Sequence, residues 1–469
     1  MHNIYYILWI KEKKGKNKPR KKEANENIKF MNDCVKKYSN DFPLNIINNT
    51  KTPCYKTTHS FYNFKDTSFI NEDKIKHKFI EPIIDEEKKD PLKCSQVILL
   101  PNNDQKKVLL KFMEASRIMY NETIKLIKTR YFNKEKTILS YRKLRTLYLK
   151  DIKEKLIKKY DTYSHVLDND IKTACAMYKS ALTNLKNRNI KHFRIRYKKT
   201  NSESLVIGVE KTLFKNNLLL YGKIKDPMLN KDNYNYDLIN HDSLIHYNKA
   251  TKIFTLFIPI TPIENNIINN DYISIDPGMR TFLTCMTNKS IIEIGTNISI
   301  EIKDLLLKID CIKDKKKDLL NEELNKRKKF NRIKHKNLTR LRERLKNKVK
   351  DMHCKIINYL TNTYKTIVIG KWSTKAVVKN ETSVLSKMNK RICLSMSFYK
   401  FLQRLEFKSK INKNDLHIVN ECYTTMTCSV CGYLKRDIRG SKVYDCNACK
   451  NIMDRDVNSC RNILYKCLD

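Results

Sequence analysis

The chain has 469 residues, with 95 Lys and Arg against 50 Asp and Glu, a net charge of +45. That length supports about two to four domains, and that surplus calls for a polyanionic partner, nucleic acid above all. A+T-rich codons would enrich Lys and Asn together, which does not produce such an excess of bases over acids. No apolar run reaches the roughly 18 residues of a membrane span. At the start, "MHNIYYILWIKEKKGKNKPRKK" places an apolar patch before the charges, the reverse of a signal peptide, so secretion is not expected. The fifteen cysteines then belong to an intracellular, reducing compartment, where clustered thiols bind metal.

Residues 1–92 mix Lys/Asn-rich tracts with isolated aromatics and are expected to be a mostly disordered, basic N-terminal extension. Within it, "KNKPRKK" at 16–22 reads equally as a nuclear import signal or as a basic tail on nucleic acid. Order is expected from residue 93. "SQVILL" predicts a strand ended by Pro101, with Asn103 or Asp104 capping a helix. Leu109, Phe112, Met113, Met119, Tyr120, Ile124 and Ile127 recur at helical spacing, as do Ile171, Ala174, Tyr178, Ala181 and Leu185. Both stripes read as core of a helical lobe at 113–190. In "HFRIRYKK", Phe193, Ile195 and Tyr197 alternate with Arg194, Arg196 and Lys198, which predicts a strand with one cationic face. "SLVIGV", "LLLYG" and "KIFTLFIPI" add strands. Residues 93–112 and 191–266 therefore read as one β-rich domain interrupted by helices.

"DYISIDPGMRTFLTCMTNKSIIEIG" (271–295) predicts three strands with tight turns. From 311 to 350 there are 17 Lys/Arg against 5 acids. Ile312, Leu319, Leu320, Leu324, Ile333, Leu338, Leu341 and Leu345 leave one side apolar, so the other is a cationic ridge suited to a polyanion, or at its plainest a solvated face. "TIVIG" (366–370) predicts a strand, "MNKRICLSMSFYKFLQRLEFKS" one helix, and "DLHIVNE" (415–421) a last strand.

Three stretches carry chemistry. Cys428-x-x-Cys431 and Cys446-x-x-Cys449, 14 residues apart, suit a closed, structural four-thiolate Zn²⁺ site. "YISIDPG" ends an apolar strand in Asp276, where a carboxylate can face a cleft and hold a metal, although Asp-Pro-Gly alone is a common turn. "DRDVNSCRNIL" puts Asp454 and Asp456 at a helix start, where an acid is also favoured by the dipole. Two-metal phosphodiester cleavage needs about three converging carboxylates.

The strand-end "DPG" acid, the paired CxxC ribbon and the "DRDVNSCRNIL" after it resemble the TnpB family of transposon-encoded proteins, relatives of type V CRISPR effectors. "LPNNDQKKVLLKFMEASRIMYN", "HVLDNDIKTACAMYKSALTNLKNRNIKHFRIRYKK" and "KRICLSMSFYKFLQRLEFKS" resemble other parts of it, so the similarity runs from about residue 95 to the end. The resemblance implies an α/β multidomain protein. A RuvC (RNase H-like) nuclease domain would occupy 267–424 and 451–469, with the zinc ribbon inserted at 425–450. A β-barrel-like wedge domain would carry the helical recognition insert. The implied activity is RNA-guided DNA endonuclease, with guide RNA and double-stranded target DNA as partners and Mg²⁺ as catalytic ion.

One feature departs from the pattern. The family's second acid is a Glu at the end of the strand equivalent to "TIVIG", and here Gly370-Lys371-Trp372 stand there. Glu421, at the end of the next predicted strand, resembles the relocated glutamate of the Fanzor branch. Adjacent strands lie about 5 Å apart, so a carboxylate can move across and reach the same ions. The expected triad is Asp276, Glu421 and Asp456, with Asp454 as alternate third member. A guided DNA binder without cleavage, and a guide-free nuclease or transposase accessory protein, are the competing readings.

Overall fold

The computed structural model describes residues 21–41, 46–51, 61–69, 78–80, 93–132, 139–262, 271–314, 324–379, 385–438 and 440–468. The chain divides into two compact units, Asp90–Pro262 and a larger one of Met1–Lys89 with Ile263–Asp469. No described helix is long and apolar enough to cross a membrane.

The larger unit begins with helix α1 (Lys21–Tyr38) and strands β1 (Ile46–Lys51) and β2 (Phe64–Phe69). These lie in the stretch expected to be disordered, and that expectation is corrected for them. The expected import signal at 16–22 falls almost wholly outside the described residues. On α1, Met31, Cys34, Val35 and Tyr38 are buried at helical spacing against the C-terminal end of the chain. Burial of Met31 or Val35 is worth about 1.5–3 kcal/mol each, before the entropy of ordering the segment. The Lys/Asn-rich surroundings dilute this stripe in the sequence.

The smaller unit follows. Strand β3 (Lys93–Leu100) leads into helices α2 (Asn103–Phe132), α3 (Lys150–Tyr160) and α4 (Ser164–Lys186), and then into strands. These are β4 (Ser204–Val209), β5 (Phe214–Lys215), β6 (Leu218–Leu219), β7 (Leu229–Asn230), β8 (Ser243–Asn248) and β9 (Ile253–Ile260). The antiparallel sheet has the order β4-β8-β9-β3-β7, and β5 pairs with β6 alone. Asn102, one residue earlier than expected, caps α2. Its Oδ1 accepts from the amide of Gln105 at 2.8 Å, and Gln105 Oε1 accepts from the Asn102 amide at 3.0 Å, a reciprocal capping box.

"HFRIRYKK" is extended but belongs to no sheet. Ile195 is buried among the helices, and Phe193 packs edge-on to Tyr178 of α4. Phe193 and Ile195 are thus covered by a helical surface, while Tyr197 stays exposed. The side chain of Asn121 supplies the backbone pairing, accepting from the Lys198 amide at 2.8 Å and donating to its carbonyl at 3.0 Å.

The larger unit resumes with β10 (Tyr272–Pro277), β11 (Thr281–Met286), β12 (Ser290–Thr296), α5 (Ile298–Asp314) and α6 (Leu324–Thr363). Then come β13 (Thr366–Gly370), α7 (Lys387–Met396), α8 (Phe398–Asn412), β14 (Asp415–Val419), β15 (Val443–Asp445), β16 (Ile452–Asp454) and α9 (Arg455–Tyr465). The sheet has the order β1-β2-β12-β11-β10-β13-β14, with β10, β13 and β14 parallel and the rest antiparallel.

Strand parity sorts this sheet's side chains between two cores. Ile273, Ile275, Ile367 and Ile369 pack with α5, α6 and α8, while Tyr272 and Val368 pack with α1 and α9.

The helix expected over 388–409 is two, broken at Ser397, which sits at φ 54°. The break lets Met396 and Phe398 both enter the core. His353 Nε2 donates to the freed Met396 carbonyl at 3.0 Å, because its Nδ1 accepts from Arg404 at 2.9 Å. Burial, then Arg404, pushes the His353 pKa down to about 3. Along α6 the apolar stripe holds from Leu338 onward; Ile333 is half exposed, and Lys326, Arg327, Lys328, Lys329 and Arg332 all face solvent.

Candidate metal centres

The thiols of Cys428, Cys431, Cys446 and Cys449 lie within 4.8 Å of one another, with Cys428–Cys449 at 3.7 Å and Cys431–Cys446 at 3.6 Å. Four Zn–S bonds of about 2.3 Å give sulfur–sulfur edges near 3.8 Å, so the cluster fits a tetrahedral zinc. Both knuckles close alike. The amides of Gly432 and Lys450 donate to the carbonyls of Cys428 and Cys446, each at 3.0 Å. Both residues are left-handed, at φ 77° and 59°, so Lys450 holds a conformation that suits glycine. Burial opposes ionisation of Cys446, but the amides of Cys449 and Ala448 and the neighbouring thiols outweigh it and bring this thiol down to about 7.

The ribbon is tied to α9 by the "DRDVNSCRN" side chains. Asn458 donates to the Thr427 carbonyl at 2.8 Å and accepts from the Ser429 amide at 2.8 Å. One turn on, Asn462 donates to the carbonyls of Thr424 and Thr427, each at 2.7 Å. Arg461 Nε donates to Ser429 Oγ at 3.1 Å. Arg280, just after the DPG turn, reaches the Gly440 carbonyl at 2.6 Å.

The acids gather on the α9 face of the sheet. Parity puts Asp276 on the same side as Tyr272 and Ser274, and Ser274 Oγ donates to the Cys460 carbonyl of α9 at 2.7 Å. Gly278 permits the turn that follows, since a β-carbon there would lie 2.7 Å from the Thr281 carbonyl. Ile275 pairs with Ile369, and Gly370 with Val419, so the C-terminal ends of β10, β13 and β14 stand level.

Glu421 lies two residues beyond β14, in a loop rather than on the predicted strand. Its side chain folds back over the end of β13. A β-carbon on Gly370 would sit 2.4 Å from Glu421 Oε1 and 2.8 Å from its Cγ. The structure thus places Glu421 where a side chain at 370 would emerge.

Asp276 reports the convergence of the acids. Its pKa is pushed well up by burial, then by the negative charges of Glu421 and Asp456, while Ser459 bonds its carboxylate and opposes the rise. Burial also raises Glu421 to about 7, against the pull of Lys466. Glu421 Oε1 is buried without a hydrogen-bond partner. Asp276, which feels both other acids, and the unsatisfied Glu421 oxygen are hard donors of the kind a divalent cation takes.

Asp454 is otherwise engaged. It caps α9, accepting from the Asp456 and Val457 amides at 2.8 and 3.3 Å, and pairs with Lys442 at 3.6 Å. Lys442 also holds Glu293 at 3.3 Å. Asp456 is bonded on one oxygen by Arg455 at 2.9 Å. The supporting groups Thr424, Ser459, Asn462 and Lys466 were not singled out from the sequence.

A basic two-unit chain with a four-thiol ribbon spliced between the last sheet strand and the last helix defines the class of protein. Residues 398–463 match the Cas12f1-like, TNB domain family. A TnpB-like protein of Acanthamoeba polyphaga mimivirus is 31% identical over 399 residues, covering 80% of this chain and 73% of the relative. A putative transposase of Paramecium bursaria Chlorella virus 1 is 25% identical over 402 residues, covering 80% and 87%. The cryo-EM structure of a Cas12f1-sgRNA-target DNA complex contains a chain that aligns with TM-score 0.48 and 16% identity, covering 78% of this chain and 84% of that one. The chain belongs to the TnpB-like proteins.

Proposed function

We propose that this TnpB-like protein is an RNA-guided DNA endonuclease of a transposable element, cutting at one RuvC-like site formed by Asp276, Glu421 and Asp456. The observation that carries the reading is the crossing of Glu421 into the space over Gly370, which fills the family's customary position for the second acid from the neighbouring strand. It favours the Fanzor-type arrangement. The mixed sheet, with Asp276 at the end of one parallel strand, Glu421 just past another and α9 across one face, supports an RNase H-like domain.

The three carboxylates would hold the catalytic divalent cations. Bound there, Mg²⁺ supplies a polarised water and charge for the leaving 3′ oxygen. The chain's own part is to keep the acids close together, and a cation would discharge the raised proton affinities of Asp276 and Glu421. Asp454 is left out of the triad because capping and Lys442 occupy it. The net charge of +45 and the exposed bases ahead of Leu338 on α6 suit a guide RNA and its DNA target. Zn²⁺ would be structural, coupling the ribbon through Asn458 and Asn462 to the helix that carries Asp456.

The test is expression with the flanking non-coding DNA, sequencing of the RNA that co-purifies, and assay of a matching plasmid in Mg²⁺ and in EDTA. Cleavage that follows the RNA sequence and disappears in EDTA is expected. RNA-directed binding without cleavage would favour a guided binder, and cleavage indifferent to the RNA would favour a guide-free nuclease.

A further inference from the structure

Glu421 lies outside any strand or helix, so neither a ladder nor a helical turn fixes it. Its backbone is held from outside. Lys466 Nζ, at the C-cap of α9, donates to the Asn420 carbonyl at 2.9 Å and the Cys422 carbonyl at 2.7 Å. Between them, the Glu421 carbonyl accepts from Thr424 Oγ1 at 2.9 Å and from the Thr424 amide at 3.2 Å. Three consecutive carbonyls are thus engaged, and one ammonium spans the outer two. Thr424 is tied to α9 in turn, since Ser459 Oγ donates to Thr424 Oγ1 at 3.3 Å. The strand of Asp276 is tied to the same helix, since Ser274 Oγ donates to the Cys460 carbonyl at 2.7 Å. The helix that carries Asp456 therefore grips both the loop of Glu421 and the strand of Asp276.

We propose that Lys466 is a positioning residue: by bridging the carbonyls on either side of Glu421 it fixes that carboxylate over Gly370 for divalent-cation binding. An ammonium suits the task, with three donors on one compact charge. A glutamate displaced from a strand end to a loop loses the rigidity of the sheet, and Lys466 restores it. The ammonium also faces Cys422, Cys34 of α1, Glu421 and Cys467. A purely structural role would be to close the C-terminus of α9, where a cation is favoured by the helix dipole. The inference rests on the reading of Glu421 as a catalytic acid.

The test compares Lys466→Met, Lys466→Arg and Glu421→Gln with the unaltered full chain. Cleavage is measured against Mg²⁺ concentration in the guide-RNA complex. Mn²⁺ binding to the zinc-loaded, RNA-free chain is measured by calorimetry, together with melting temperature. Lys466→Met is expected to weaken Mn²⁺ binding and to raise the Mg²⁺ needed for half-maximal cleavage, each by about 10–100-fold, the usual cost of losing an outer-shell partner. Lys466→Arg, which can still bridge two carbonyls, recovers most of both. Guide-RNA binding stays unchanged in both Lys466 variants.

Unaltered Mn²⁺ binding in Lys466→Met would overturn the inference. So would equal loss of melting temperature and cation binding in both Lys466 variants, which marks a structural residue. Full cleavage by Glu421→Gln would remove the catalytic reading and the inference with it. An inactive Glu421→Gln beside an unaffected Lys466→Met would remove the inference alone.

Discussion

Replacing Glu421 by Gln should abolish cleavage and, without divalent ions, make the protein more stable. Burial raises the Glu421 pKa from 4.5 to about 7. Between those values the folded protein holds a proton that the unfolded chain has released. The group therefore destabilises progressively as pH rises through this window, and its full cost is present above pH 7. At 1.36 kcal/mol per pKa unit the ceiling is about 3 kcal/mol; partial solvent access lowers it to about 1–3 kcal/mol. Glutamine keeps the shape and removes the charge. At roughly 2–4 °C per kcal/mol, the melting temperature in EDTA at pH 8 should rise by several degrees, and at pH 5 hardly at all. Added Mg²⁺ should stabilise the unaltered protein at pH 8 and Glu421→Gln much less. Scanning calorimetry at the two pH values, with and without Mg²⁺, measures all of this. A Glu421→Gln protein that melts at or below the unaltered one in EDTA at pH 8 would refute the claim that this carboxylate is strained in the absence of a cation.

Gly370→Ala puts a methyl group 2.4 Å from Glu421 Oε1 and should lower cleavage by more than about 100-fold through displacement of that carboxylate, with guide-RNA binding retained. In a Glu421→Ala background the same space is empty. Gly370→Glu combined with Glu421→Ala should then regain plasmid cleavage that Glu421→Ala alone lacks, and no regain would count against the shared site. Cys446→Ser should reduce bound zinc, measured by metal analysis, and abolish cleavage, because Asn458, Asn462 and Arg461 of α9 all bond the segment leading into the ribbon. Lys450→Gly relieves a left-handed non-glycine residue and should strengthen zinc retention against a chelator by about 0.5–1 kcal/mol, unless the extra chain entropy of glycine cancels it.

The four-thiol cluster was legible because its residues are local in pairs: two CxxC turns bring each thiol pair together before any tertiary contact forms. The strand pattern of 271–295 was legible for a similar reason, since alternation and the turn residues act over a few positions. "HFRIRYKK" misled because alternation records which residues are covered, not by what, and helices cover Phe193 and Ile195 here. The helix at 21–38 was hidden because its four apolar residues have no value until α9 lies beside them.

The acids divide along the same line. Sequence alone put Asp276 at the end of an apolar strand, Asp454 and Asp456 at a helix start, and Gly370 at the end of the "TIVIG" strand. Tertiary structure alone decided what those facts mean together. Strand register levels the three sheet ends, side-chain packing lays Glu421 over Gly370, and cap bonds plus Lys442 engage Asp454. Local chemistry is written in neighbouring residues. That Asp276 feels the charges of Glu421 and Asp456, each more than a hundred positions away, depends on how strands stack, and that is fixed only when the core closes.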